Sequence, residues 1–206
     1  MNVLVFGASG ATGSLVVEDA LKKGHAVTVL VRDAAKLKIS GGRVLTGDAT
    51  NYSDVLTAMR GQYAVIDTIG GTRPYETTHL ETTAAKNIIA AMHVEGARRL
   101  IVVSMLGLGE SAEQSPFWYR YLLMHTFLRG SNPDKAAMEE AVRSSGLEYV
   151  IARPPILKDA PATGDIHILG PGAIGHAITR ADLAAFLVDQ LDSSAHVNQA
   201  VTVVNS

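Results

Sequence analysis

The sequence predicts an α/β protein with a doubly wound, mostly parallel sheet, folded as a single domain over residues 1–206. Two alternating patterns lead to this prediction. Short apolar runs such as Val3–Phe6 are typical of parallel strands that are buried on both faces. Between them lie longer stretches such as Thr12–Lys23, in which apolar residues recur at helical spacing. Strands that alternate with such helices form right-handed crossover units, and these units build a parallel sheet with helices on both faces.

The same patterns continue along the chain and define the remaining elements. After Val3–Phe6 we expect strands at Ala26–Val31, Arg43–Leu45, Ala64–Ile66, Leu100–Val103 and Tyr149–Ile151. We expect helices at Thr12–Lys23, Tyr52–Met59, Leu80–Met92, Ala137–Ser145 and around Leu183, Leu187 and Leu191, with a short helical turn near Ala34–Leu37. The segments from about 105 to 134 and from about 153 to 178 are expected to form loops on the substrate side of the sheet.

The composition excludes several kinds of protein. With 206 residues, 47% of them hydrophobic, the chain can bury the core of one domain. It has no cysteine, and its seven histidines show no metal-ligand spacing, so we expect neither disulfides nor a metal site. A net charge of −2 with mixed signs gives no reason to expect nucleic acid as a partner. No apolar stretch reaches the roughly 20 residues of a membrane span and no signal peptide opens the sequence, so we expect no membrane contact and a cytoplasmic location.

A glycine-rich turn joins the first predicted strand to the first predicted helix. Glycines permit a tight turn and let the backbone approach a pyrophosphate, whose charge the positive end of the following helix stabilises. The order of strand, turn and helix is the one that dinucleotide-binding proteins of the Rossmann type require. A purely structural turn is the alternative. We predict that the cofactor contacts Gly7, Ser9, Gly10, Ala11, Thr12 and Gly13, which form a G-x-x-G-x-x-G motif together with Ala8.

The residue that follows the second predicted strand indicates which dinucleotide binds. In Rossmann proteins an acidic residue about 20 positions after the glycines binds the ribose 2′-hydroxyl of NAD, whereas arginine accommodates the 2′-phosphate of NADP. Here that residue is Arg32, and a guanidinium suits a phosphate through its charge and its planar geometry. Asp33 follows directly, and a solvated surface arginine is the alternative. We therefore predict NADP(H) as the cofactor.

Two more strand ends supply candidate cofactor contacts. After the third predicted strand, Asp48 is expected to accept a hydrogen bond from the adenine amino group, and Ala49 to pack on the ring. Alternatively, an Asp or Thr in this stretch is almost equally suited to be the N-cap of the next helix. The fourth predicted strand is followed by glycines that would let the backbone lie along the nicotinamide ribose, and by an arginine that is either a phosphate contact or an exposed charge. These residues are Gly70, Gly71, Thr72 and Arg73.

Five motifs together give the chain a resemblance to a known family. They are Gly7–Gly13, Val29–Asp33, Gly47–Asp48, Gly71–Arg73 and Ser145–Tyr149. With them the sequence resembles the atypical short-chain dehydrogenases/reductases, and most of all the group of biliverdin-IXβ reductase (flavin reductase) and its bacterial relatives. The resemblance implies a Rossmann fold and an NADPH-dependent reductase, a monomer or weak homodimer, that passes hydride to a planar conjugated acceptor. NmrA-like redox sensors resemble the cofactor half equally well, and they bind dinucleotide without clear turnover.

The resemblance covers most of the chain but not all of it. It is strong from Asn2 to about Met92, returns from Lys135 to about Gly164, and lapses in between from Leu106 to Pro133. The Pro-Pro-His segment of the family reads Pro-Pro-Ile here, ending at Ile156, so the histidine that the family places near its substrate is missing. Biliverdin is therefore only one of several acceptors that the sequence leaves open.

Ser104 and Lys135 are the candidate catalytic residues. Ser104 ends the fifth predicted strand, at the sheet edge where open α/β sheets bind ligands, and a serine there contacts substrate or nicotinamide in reductases that resemble this chain. Lys135 occupies a position where related members carry a basic or polar residue that faces the cofactor. The alternatives are a loop serine bonded to nearby backbone and a surface lysine. The Tyr-x-x-x-Lys pair of conventional short-chain dehydrogenases is absent around Tyr119 and Tyr121.

The segment Phe117–Phe127 holds five of the eleven aromatic residues of the chain. It is either a lid whose rings, including Trp118 and Tyr121, stack on a flat substrate, or an amphipathic helix that packs on the core or on a partner subunit. After the sixth predicted strand, Pro154 and Ile156 should lie at the same sheet edge. We expect their loop to offer carbonyl groups to the nicotinamide carboxamide, and Ile156 also to contact the substrate.

Taken together, the residues favour an NADPH-dependent reductase whose acceptor is a flavin, a biliverdin-like tetrapyrrole or a quinone. The alternative is a non-catalytic NADP(H)-binding redox sensor or assembly factor of the NmrA-like type. An open apolar pocket over the nicotinamide, near Ser104, Trp118 and Ile156, would favour the reductase. An epimerase or dehydratase is disfavoured because the Tyr-Lys pair is missing.

Overall fold

Strands and helices alternate along the chain in a computed structural model that describes residues 1–70 and 75–205. Within these residues there are ten strands and five α-helices. The strands are β1 (Asn2–Phe6), β2 (Ala26–Val31), β3 (Arg43–Thr46), β4 (Ala64–Asp67), β5 (Arg99–Val103), β6 (Glu148–Arg153), β7 (Ile156–Lys158), β8 (His167–Ile168), β9 (Ala177–Thr179) and β10 (Gln199–Val204). The helices are α1 (Ala11–Lys22), α2 (Tyr52–Met59), α3 (Leu80–Glu95), α4 (Ser131–Arg143) and α5 (Arg180–Asp189).

Eight strands form one sheet in the order β3-β2-β1-β4-β5-β6-β10-β8. All neighbouring pairs in it are parallel except β10 with β8, and β7 and β9 pair in parallel outside it. The doubly wound, mostly parallel fold is thus confirmed. Chain order reverses between β1 and β4, so the connections after these two strands leave on opposite faces and open a crevice at their carboxyl ends. Ligands of open α/β sheets bind at such a switch point.

Helices cover both faces of the sheet, which explains why the central strands have continuous apolar sequences. Val3 and Val5 of β1 belong to the core on the side of α1 and α5. Leu4 and Phe6 belong to the core on the side of α2, α3 and α4. Neither side of β1 faces water, so each of these four residues is fully buried. None of the helices in the described part of the chain is both long and apolar enough to cross a membrane.

Each strand and helix predicted from the sequence is present; β2 and α2 have the predicted bounds, and the ends of the other elements are shifted. The largest shift is at α4, which begins at Ser131 rather than near Ala137, because Pro133 lies in the first turn, where a helix tolerates proline. The sequence did not reveal β7 to β10. The aromatic segment contains a single π-helical turn, Tyr119–Leu123, instead of a regular amphipathic helix.

Asp182 in the first turn of α5 ties the loop before β8 to the rest of the domain. Its carboxylate accepts hydrogen bonds from the backbone N–H groups of Thr163 and Gly164, from the hydroxyl of Thr179 and from Asn205. Thr179 in turn is the N-cap of α5 and accepts from the Asp182 N–H. Burial opposes ionisation of Asp182, but the hydrogen bonds outweigh it and lower the pKa of this carboxyl to about 2.

Asp182→Asn should reduce the free energy of unfolding by about 2 kcal/mol at neutral pH, because an amide nitrogen replaces an accepting oxygen in a buried network. The pKa of Asp182 lies below that of an unfolded aspartate. Its contribution to stability is therefore present above about pH 4 and is lost as the pH falls toward 2. Urea unfolding at several pH values measures this, with Asp159→Asn, an exposed carboxylate, as the matched control. A difference between wild type and Asp182→Asn that stays constant from pH 6 to about pH 3 would contradict the assignment.

Candidate functional site

The glycine turn between β1 and α1 is required by close packing as well as by conformation. Gly7 has φ +77°, a left-handed conformation that favours glycine. A Cβ on Gly13 would lie 2.2 Å from the carbonyl oxygen of Gly7 and 2.7 Å from the hydroxyl oxygen of Thr68. That hydroxyl donates to the carbonyl oxygen of Phe6 at 2.8 Å, so it cannot move away without breaking the junction of β1 and β4. The glycines hold α1 directly against the ends of these strands.

The N-terminus of α1 opens toward the crevice. Gly10 is the N-cap, and no side chain in the described part of the chain caps this helix. Its first turn contains no acidic residue. The leading N–H groups of a helix have no partner within the helix, and the helix dipole makes this end positive. The turn can therefore hold an anionic group of a ligand, as Gly10, Ala11, Thr12 and Gly13 all line the crevice.

A first cleft of about 260 Å³ lies over the carboxyl ends of β1, β2 and β4. Leu30, Ile69 and Leu80 give it apolar surface that suits a flat ring. Seven of the predicted cofactor contacts come together in its lining: Gly7, Ser9, Gly10, Arg32, Asp48, Ala49 and Gly70.

Arg32 and Asp33 have different environments although they are neighbours. Arg32 lines the first cleft, whereas Asp33 is not part of the lining. The Asp33 carboxylate caps the short 3₁₀ turn Ala34–Lys36, where it accepts from the backbone N–H of Ala35 at 3.0 Å. The arginine is thus the residue of the two that is available to a ligand in this cleft.

Asp48, which also lines the first cleft, makes a local turn. Its Oδ1 accepts both the N–H and the hydroxyl of Thr50 at 2.8 Å. These bonds, with a smaller contribution from the nearby charge of Arg32, lower the pKa of Asp48 and keep it ionised. The N-cap of α2 is Asn51, which accepts from the N–H of Ser53, so Asp48 does not serve as the cap.

A second cleft of about 520 Å³ continues from the first. The two share Gly10, Thr68, Ile69 and Gly70, so together they form one elongated site across the switch point. Its apolar lining comes from the ends of β5 and β6, from the segment before α4 and from β7: Val103, Met105, Tyr119, Leu128, Pro154, Pro155 and Leu157. Its charged lining residues within the described chain are Glu81, Lys135 and Arg180.

Ser104 is the predicted catalytic residue with the most informative environment. It is 3% exposed, lines the second cleft, and donates its backbone N–H to the carbonyl oxygen of Ala152. Its hydroxyl oxygen is buried and has no hydrogen-bond partner among the described residues. A buried hydroxyl without a partner is energetically costly, so this atom fits a ligand that brings a polar group into the cleft.

Lys135, the other predicted catalytic residue, is held in a nearly buried ion pair. Its Nζ lies 2.8 Å from Oε2 of Glu81, and both side chains are mostly shielded from water. The pair exists because Asp134 accepts the backbone N–H groups of Glu81 and Thr82, and this fixes the start of α3 against α4. Burial, together with the charge of Glu81, raises the pKa of neighbouring Asp67 to about 7.

The predicted substrate contacts Trp118 and Tyr121 lie outside the second cleft. Their side chains are about half exposed, and Phe117 packs on Tyr121 with ring centroids 4.5 Å apart. Tyr119 lines the cleft instead; it is 4% exposed, and burial raises its pKa to about 12. The π-helical turn points this one ring inward and its neighbours outward.

Ile156, predicted to contact both cofactor and substrate, is also exposed and is not in the lining. Successive side chains of a strand point to opposite sides, so in β7 it is Leu157 that reaches the cleft. Pro154 lines the cleft as expected. Gly71, Thr72 and Arg73 lie outside the described residues.

The sequence reasoning missed Glu81, Tyr119, Leu157 and Arg180, all of which line the second cleft. Tyr119 belongs to the aromatic segment that the sequence did single out. Arg180 follows β9, and its place depends on the pairing of β7 with β9, for which the sequence gives little signal.

A doubly wound sheet, a glycine turn before an uncapped helix and a long cleft at the switch point define a dinucleotide-binding protein of the Rossmann type. Comparison with known families agrees with this class. The model of the family described as NAD(P)H-binding matches residues 7–194, and the chain belongs to that family. The prediction of an NAD(P)-binding Rossmann protein is therefore confirmed.

Solved structures and curated sequences resemble the chain at low identity. The structure of ChuY from Escherichia coli O157:H7, described as an anaerobilin reductase, is 28% identical and superposes with a TM-score of 0.82 over 100% of this chain and 97% of that one. A short-chain dehydrogenase/reductase from Veillonella parvula in complex with NADP, 17% identical with a TM-score of 0.78 over 99% of this chain and 94% of that one, has the same fold.

Two sequence relatives are longer proteins. An uncharacterised chloroplast protein of Arabidopsis thaliana is 29% identical over 80% of this chain and 62% of its own length. The photosystem II assembly factor Ycf39 of Cyanophora paradoxa is 31% identical over 73% of this chain and 44% of its own length. The chain thus spans about half the length of these relatives.

Proposed function

We propose that the protein is an NADPH-dependent reductase that transfers hydride to a planar conjugated acceptor such as a flavin, a biliverdin-like tetrapyrrole or a quinone. The observation that carries the proposal is the second cleft. It continues the dinucleotide site past the glycine turn, it is roomy and largely apolar, and the hydroxyl of Ser104 lies buried in its lining. The likeness to ChuY, a reductase by description, supports the same reaction class.

The preference for NADPH over NADH rests on the first cleft. Arg32 lines it at the end of β2, where a 2′-phosphate would lie, and the Asp33 carboxylate is committed to a local turn. Because this carboxylate caps the turn and does not line the cleft, we expect it not to bind the ribose hydroxyls of NAD. The charge on the lining therefore favours a cofactor with an extra phosphate.

Each part of the site has a separate task in this reaction. When bound, NADPH supplies a hydride from C4 of its nicotinamide. The N-terminus of α1 would hold the pyrophosphate, and the hydroxyl of Ser104 would donate a hydrogen bond to the nicotinamide or the substrate. Met105, Tyr119 and the other apolar lining residues hold a flat ring and exclude water. The ammonium of Lys135 is paired with Glu81, and its remaining N–H groups can donate a hydrogen bond to the acceptor atom that becomes negative when the acceptor gains hydride.

A non-catalytic redox sensor or assembly factor is the second candidate. It is favoured by the similarity to Ycf39 and by the exposed apolar side chains of the aromatic segment, which lie outside the second cleft. We keep a monomer or weak homodimer and a cytoplasmic location as parts of the proposal.

Loss of NADPH absorbance with FMN, biliverdin and a simple quinone tests the proposal, after a titration has shown that NADPH binds. We expect turnover with at least one acceptor. Ser104→Ala should lower kcat/KM by about tenfold, because a hydrogen bond to the reacting groups is lost. Ser144→Ala, an exposed serine at the end of α4, is the matched control and should behave like wild type. Tight NADPH binding without turnover of any acceptor would favour the sensor.

A further inference from the structure

The second cleft carries a positive charge that the proposed hydride transfer does not use. Its charged lining residues in the described chain are Glu81, Lys135 and Arg180. Glu81 and Lys135 neutralise each other in their 2.8 Å pair. Arg180 therefore gives this lining a net charge of +1, from one acidic and two basic side chains.

Arg180 has a partner that it can exchange for a ligand. Its Nη1 donates to Oδ1 of Asp159 at 2.8 Å and to the carbonyl oxygen of Leu157 at 3.4 Å. The Asp159 side chain is 82% exposed and lies outside the cleft lining, whereas the Arg180 side chain is 24% exposed. Solvent-exposed ion pairs contribute little free energy, so replacing Asp159 by an anionic group of a ligand costs little.

Arg180 lies beside the apolar lining of the second cleft, where a substrate would bind. It is the first residue of α5, directly after β9, and β9 pairs with β7, which carries Leu157. Leu157 and Pro155 belong to the apolar lining of the same cleft. A flat ring on this apolar surface would therefore carry its substituents toward a guanidinium, whose planar fork matches a carboxylate or a phosphate.

We propose that Arg180 binds an anionic substituent, a carboxylate or a phosphate, of the planar acceptor, and that it makes the cleft select acidic acceptors over neutral ones with the same ring. The inference rests on the proposed function and names the substrate class for it. FMN carries such a phosphate and biliverdin carries such carboxylates. Riboflavin and biliverdin dimethyl ester are their neutral counterparts.

The test compares these two pairs in wild type and in Arg180→Gln. Dissociation constants come from flavin fluorescence or tetrapyrrole absorbance titrations in the presence of NADP⁺, and KM comes from NADPH consumption. Arg180→Gln should weaken the binding of FMN by about tenfold or more and that of riboflavin by less than about twofold, because only FMN loses a charge-assisted hydrogen bond. Likewise, Arg180→Gln should weaken the binding of biliverdin much more than the binding of its dimethyl ester. An effect confined to the flavin pair identifies a phosphate, and one confined to the tetrapyrrole pair identifies a carboxylate.

Three further measurements make the result decisive. Asp159→Asn should bind FMN at least as tightly as wild type, since it frees Arg180. Arg180→Lys keeps the charge without the fork and should lie between wild type and Arg180→Gln. NADPH affinity should be unchanged in all three variants. Equal weakening of charged and neutral acceptors, or a loss of NADPH affinity instead, would overturn the role of Arg180.

The outcome separates this inference from the proposed function. If wild type binds charged acceptors more tightly than neutral ones, Arg180→Gln does not, and neither protein consumes NADPH, the role of Arg180 is supported and the proposed reductase activity is contradicted. Turnover of FMN and riboflavin with equal KM in both proteins would support the reductase and contradict the role of Arg180.

Discussion

Arg32→Gln should weaken NADPH binding by about 1.5 to 3 kcal/mol, or roughly 10- to 150-fold, and leave NADH binding nearly unchanged. Arg32 lines the first cleft, and a 2′-phosphate there would meet its guanidinium. NADH has no such phosphate, so loss of the Arg32 charge should not change its affinity. Titration of each dinucleotide into each protein, followed by nicotinamide fluorescence, measures both affinities.

Asp33→Asn is the matched control for Arg32→Gln. The asparagine carbonyl oxygen can still accept the N–H of Ala35, so the 3₁₀ turn is preserved, and both affinities should stay within about twofold of wild type. Equal losses of NADPH and NADH affinity in Arg32→Gln would remove the assignment of Arg32 to a 2′-phosphate.

Gly13→Ala should lower NADPH affinity by about 100-fold and also destabilise the fold by about 1 to 3 kcal/mol. The added Cβ would lie 2.2 Å from the Gly7 carbonyl oxygen and 2.6 Å from its carbon, and backbone atoms cannot move away as a flexible side chain can. To relieve the clash, α1 must shift from β1, and its N–H groups then leave the crevice. Calorimetric NADPH titration and urea unfolding measure the two effects.

Gly170→Ala is the control for Gly13→Ala. A Cβ at Gly170 would meet no atom within 4 Å, and this glycine is not in a left-handed conformation. Both affinity and stability should therefore match wild type. If Gly13→Ala also binds NADPH as wild type does, the glycine turn does not hold the pyrophosphate.

The cofactor half of the site could be predicted from the sequence because its signals are local. The glycine turn and Arg32 follow directly on apolar strands, Asp48 lies two residues after β3, and the carboxyl ends of neighbouring parallel strands meet at one edge. Arg32, Asp48 and the first half of the glycine turn line the first cleft, and the second half of the turn lines the second cleft. Residues that can be recognised from their local sequence are therefore the same residues that the parallel sheet brings together in space.

The substrate half depends on contacts between distant segments, which sequence periodicity does not reveal. Lys135 is paired with Glu81, from another helix, only because Asp134 caps α3. Arg180 reaches the second cleft through the parallel pairing of two three-residue strands, β7 and β9.

The aromatic segment shows a different limit. Its composition agreed with either a substrate lid or an amphipathic packing helix, but the direction of each ring depends on a π-helical turn. That turn brings Tyr119 into the lining and leaves Trp118 and Tyr121 exposed. Composition alone could therefore point to the segment but not to the residue.

A crystal structure of the protein with NADP⁺ tests most directly whether the two clefts form one dinucleotide site that ends in an acceptor pocket. We expect the 2′-phosphate within hydrogen-bonding distance of Arg32, the pyrophosphate at the N-terminus of α1, and the nicotinamide beside the hydroxyl of Ser104 with open space over its C4 atom. A nicotinamide that lies outside the second cleft, or a second cleft that closes on the bound cofactor, would contradict the reductase account.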